Sequence, residues 1–152
     1  MSPVRIIDAS YVGVPETAAP APEPIKFTAM EALWVVFPVL QHVLLYEGEG
    51  IPPFDAILQS LRSSLAATLG SFALLVDKLV HLEDTGDVGI SCSASDGVRF
   101  VVAECGADIH RLAGDEEHDL PVLEVLVPEV DMGSACAVLA VCHRLRAAWR
   151  SG

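Results

Sequence analysis

FDAILQSLRSSLAATLGSFALLVDKL, residues 54–79, decides how the rest of the chain is read. Phe54, Ile57, Leu58, Leu61, Leu65 and Leu69 recur every three or four residues, so on a helix they form one apolar stripe. Gln59, Arg62, Ser63 and Ser64 are expected largely on the other side. Pro52 and Pro53 precede the run, where proline suits a helix entry, and Gly70 weakens its end. An apolar bend then leads into short strands. A one-sided helix must lay its stripe on a sheet or on other helices.

Upstream, residues 4–14 are rich in β-branched residues and read as a strand. Residues 15–24 hold four prolines and read as an extended loop. Thr28 and Glu31 form a capping box for a helix from Ala29 to about Val36, which Pro38 must stop. Trp34 on that helix is expected in the core. Residues 39–46 read as a strand that ends at a Glu47–Gly50 turn.

Downstream, residues 80–82 form a short strand candidate and 83–87 a turn. Residues 88–92 and 98–105 flank a loop ending in Asp96-Gly97, which predicts a hairpin between them. Residues 108–112 suit a helical turn, 113–119 an acidic loop, and 120–126 either helix or strand. Residues 135–142 read as a buried strand. They pass straight into a basic tail, 143–150, with three arginines and no turn between.

The 152 residues suffice for one domain with a real core. Hydrophobic residues make up 52% and mean hydropathy is +0.47, high for a soluble chain. A net charge of −12 excludes a phosphate-binding surface of clustered Lys and Arg, and argues equally against anionic membranes. The longest apolar run, 32–40, is interrupted by Pro38 and too short to span a bilayer. Arg5 and Asp8 break any signal-peptide core near the start. Cys92, Cys105, Cys136 and Cys142 form no C-x-x-C pair and read as small apolar residues in a reducing compartment. The expectation is a cytoplasmic protein that binds neither nucleic acid nor membrane.

Chemistry is sparse. Residues 115–119, DEEHD, could attract a divalent cation, but they lack the ligand spacing of an EF-hand loop and read as a solvated loop, so no metal site is assigned. The histidines are His42, His81, His110, His118 and His143. A general base needs a second polar group to hold it. There is no G-x-S-x-G elbow, no Walker A sequence and no G-x-G-x-x-G. Residue types alone therefore declare no catalytic residue.

Several stretches in order nevertheless resemble one family. Thr28, Leu33, Trp34, Pro38 and Val39, then Leu44-Leu45-Tyr46, are similar to a T-x-L-D-x-x-W-L-x-x-P-P-V region. Phe54-Asp55, Leu58, Ser60-Leu61, Ser64-Leu65 and Leu69 are similar to an F-D-x-x-L-x-S-L-x-x-S-L-x-x-T-L helix. Residues 72–79 stand where the family has F-x-P-L-A-G-K-L, with Leu74, Val76 and Asp77 replacing its proline, alanine and glycine. Gly86-Asp87-Val88, Asp96-Gly97-Val98 and Phe100-Val101 follow, then residues 112–119 and 126–129, which are similar to a loop typical of grass members. The chain thus resembles the N-terminal part of plant BAHD acyltransferases, most like the anthocyanin and phenolic-glucoside acyl- or malonyltransferase branch.

The resemblance implies an α/β fold. It would be an incomplete first domain of the two-domain, chloramphenicol-acetyltransferase-like architecture, a mixed sheet with flanking helices. Residues 1–141 would form the partial family domain, and 142–152 a tail outside it, reflecting truncation or a reading-frame change. The family base is the His of H-x-x-x-D, and D-F-G-W-G supports the coenzyme A side. Neither motif occurs here: Tyr46, Thr85, Gly114, Val122 and Ala147 stand four residues after the five histidines. Of the acceptor pocket only Phe37, Pro38 and His42 carry over.

Acyl-CoA, malonyl-CoA in this branch, is implied as a co-substrate, with no resident cofactor expected. Three functions stay open: a transferase fragment inactive alone, a non-catalytic protein that binds a full-length acyltransferase, or a catalyst completed in an oligomer. An incomplete domain should also leave exposed apolar surface and a free sheet edge, available to a full-length relative or to self-association.

Overall fold

A computed structural model describes residues 4–15, 23–36, 42–76, 78–91, 96–114, 120–127 and 139–146. The order is β1 (Arg5–Gly13), β2 (Ile25–Lys26), α1 (Ala29–Ala32), a 3₁₀ turn (Leu33–Val36), α2 (Phe54–Ser71), a second 3₁₀ turn (Ala73–Val76), β3 (Lys78–Leu82), β4 (Asp87–Ser91), β5 (Gly97–Asp108), α3 (Ile109–Ala113), α4 (Leu120–Leu126) and β6 (Leu139–Arg146).

Two three-stranded sheets result. One has the order β1-β5-β6, the other β2-β4-β3. The first is mixed, with β1 antiparallel and β6 parallel to β5. The expected α/β class with a mixed sheet and flanking helices is what the chain forms.

The expected hairpin of 88–92 with 98–105 does not form. β4 pairs with β3 and β2, whereas β5 pairs with β1 and β6 in the other sheet. The tight turn lies one connection earlier, at 83–86. There the Gly86 N–H donates to the Leu82 carbonyl at 2.8 Å, and Gly86 takes φ 73°, where a side chain is strained. β5 is twelve residues long, and Val98, Phe100, Val101, Val102 and Ala103 are all buried. Consecutive buried residues mean both faces are covered, so β5 is a central strand and needs a neighbour on each side.

α2 lies on the β1–β5 face. Leu69, Val76 and Val98 form its buried core, with Val12, Val14 and Leu65 against them. The helix runs one residue past Gly70, and the Phe72 N–H closes it on the Thr68 carbonyl at 2.8 Å. A second cluster, Cys105, Leu112 and Leu126, joins the end of β5 to α3 and α4, with Val4, Leu45, Val122 and Leu123 packed around it. Residues 120–126, read as helix or strand, are helix.

Other expectations fare unevenly. The Thr28/Glu31 capping box is present, but α1 has only four residues before it tightens into a 3₁₀ turn. Residues 37–41 lie outside the described residues. Residues 42–46 form no strand: Val43, Leu44 and Tyr46 are exposed while Leu45 packs inward against the second cluster. β2 is a two-residue strand the sequence reading did not foresee. β6 continues without a break through His143–Arg146, read above as the start of a basic tail, because β5 offers it a parallel partner as far as Asp108. The fate of Trp34's side chain and the acidic residues 115–119 lie outside the described residues. No described helix is long and apolar enough to cross a membrane.

Candidate functional site

A groove of about 510 Å³ opens between α2 and the β1–β5 face. Its apolar walls are Ile7, Phe54, Leu58 and Val102, and its polar rim is Asp8, Asp55, Gln59, Arg62, Ser63 and Glu104. Local backbone geometry creates it. The β1–β5 register slips between Ile6 and Asp8, leaving Ile7 as an extra residue. A bulge of this kind re-aims side chains, and here Ile7 and Asp8 both line the groove.

Arg62 corrects the sequence reading. It was assigned to the solvent side of α2, yet it is the central polar group on the sheet side. Its guanidinium lies 5.1 Å from the Phe100 ring centroid and pairs with Asp8. Its Nε is buried without a hydrogen-bond partner. The signal was available: Arg62 is four residues after Leu58 and three before Leu65, inside the stripe. The long arginine stem covers apolar surface while its head reaches a carboxylate. Across the rim, Arg5 pairs with Glu104.

As chemistry, the groove offers carboxylates and a guanidinium. Asp8 and Glu104 are held in ion pairs, and none of the lining residues is a histidine. The described imidazoles lie elsewhere. His110 on α3 holds Glu47 through Nδ1 at 2.8 Å, tying the 42–50 segment to the second core cluster. His81 stands on β3, exposed. Of the three pocket residues taken from the resemblance, Phe37 and Pro38 lie outside the described residues. His42 is exposed and makes no hydrogen bond or ion pair among the described residues. His42, the one of the three that is described, does not line the groove. Among the described residues no three His, Cys, Asp or Glu side chains are grouped to hold a metal ion.

Two carboxylates away from the groove titrate low. The Thr28 backbone N–H and then its hydroxyl hold Glu31 below the usual carboxylate range. Asp87 is lowered first by its hydrogen bond from Lys26, then by Thr85. Both are caps or ties of structure, and neither points to a proton-transfer role.

With this architecture in place, comparison with known proteins is specific. The model of the Transferase family matches residues 31–141. The chain belongs to that family, the BAHD acyltransferases, and corresponds to their N-terminal part. It is similar to the malonyl-CoA:anthocyanidin 5-O-glucoside-6''-O-malonyltransferase of Arabidopsis thaliana, with 28% identity over 145 residues. That match covers 92% of this chain and 31% of the relative, so the chain spans about a third of the relative's length.

Proposed function

We propose that this chain is a fragment of an acyl-CoA-dependent O-acyltransferase and does not transfer acyl groups by itself. The family reaction joins an acceptor hydroxyl oxygen to the thioester carbonyl carbon. The carbon–sulfur bond breaks, coenzyme A leaves as the thiol, and a base takes the hydroxyl proton. The observation that carries the reading is that the chain contains no H-x-x-x-D motif, the family's arrangement for that base. No histidine in the 152 residues has an aspartate four positions on. Losing a positioned base and one wall of a substrate channel each costs orders of magnitude in rate.

The donor is malonyl-CoA and the acceptor a phenolic glycoside such as an anthocyanin, a reading supported by the similar malonyltransferase. Phe37, Pro38 and His42 would contribute one side of the acceptor pocket, in a cytoplasmic protein. The test is direct. Purified protein, incubated with malonyl-CoA and an anthocyanidin glucoside, should release no more free thiol than a heat-killed control. Sustained release above that control overturns the proposal.

A second reading, a non-catalytic partner of a full-length relative, is favoured by the apolar side chains left open, among them Met30, Leu44, Tyr46 and Phe72. Co-expression with a full-length family member, followed by recovery of a defined complex, would select it. Independent elution of the two proteins would reject it.

A further inference from the structure

We draw no further inference here: the strongest candidate, the groove between α2 and the β1–β5 face with Asp8, Asp55 and Glu104 on its rim, carries none because nothing in the structure shows what fills it, two of those three carboxylates being already paired with Arg62 and Arg5.

Discussion

Asp96 opens β5 with its carboxylate nearly removed from water, at 8% exposure, and the Lys78 ammonium meets it at 2.5 Å. Lys78 begins β3, so this pair ties one sheet to the other. Lys78 is itself half exposed, which limits what the pair contributes. Still, removing the ammonium leaves a desolvated carboxylate with less compensation. Lys78→Met should therefore cost about 1–3 kcal/mol, more than Arg5→Met on the open Arg5–Glu104 pair, at roughly 0–1 kcal/mol. Urea unfolding of the two variants gives the comparison, and equal losses would contradict it. Leu69 is fully buried in the α2 core, so Leu69→Ala should cost about 2–5 kcal/mol by the same measurement. Leu69 was legible from the stripe alone. Arg62 was not, because residue type outweighed spacing in placing it.

At the scale of elements, periodicity served well and pairing did not. The long stripe gave α2, the β-branched run gave β1, and Thr28 with Glu31 gave the start of α1. Strand partners depend on contacts distant in sequence, and no local signal carries them. The Ser93–Gly97 loop looked like a hairpin turn because of its Asp-Gly ending, yet Asp96 serves an ion pair and Gly97 serves close packing. A Cβ on Gly97 would lie 2.8 Å from the Val12 carbonyl oxygen. Gly97→Ala must push β1 away from β5, and an overpacked backbone contact costs about 1–3 kcal/mol. Its thermal midpoint should fall by several degrees. The bulge at Ile7, which shapes the groove, likewise had no sign in the sequence, since it is a property of register.

For the molecule as a whole, acid is the informative variable. Glu31 and Asp87 have folded-state pKa values below their unfolded ones, so the folded chain binds fewer protons there. Their stabilisation is present above the unfolded values, near pH 4, and is lost as pH falls through the lower folded values. Carboxyl chemical shifts followed by NMR from about pH 6 to 2 should show both titrating late. Thr28→Val removes the hydroxyl but keeps the larger backbone N–H bond, so it should raise the Glu31 midpoint only part of the way to the ordinary range and leave Asp87 low. A Glu31 midpoint unmoved by that change would refute the hydroxyl's share of the shift. The family was readable from ordered motifs. The chemistry was not, because neither H-x-x-x-D nor D-F-G-W-G occurs in the sequence to mark it.

The β1–β5 ladder joins Arg5 to Glu104, residues 99 positions apart. A ribosome adding about 5–20 residues per second needs roughly 5–20 s to cover that distance. Throughout that interval β1 is outside the tunnel with its ladder groups unmatched, and its natural neighbour does not yet exist. Synthesis of this chain therefore has a built-in waiting period, in which a holdase that shields extended apolar segments should raise the yield of folded protein and a slowed ribosome should lower it.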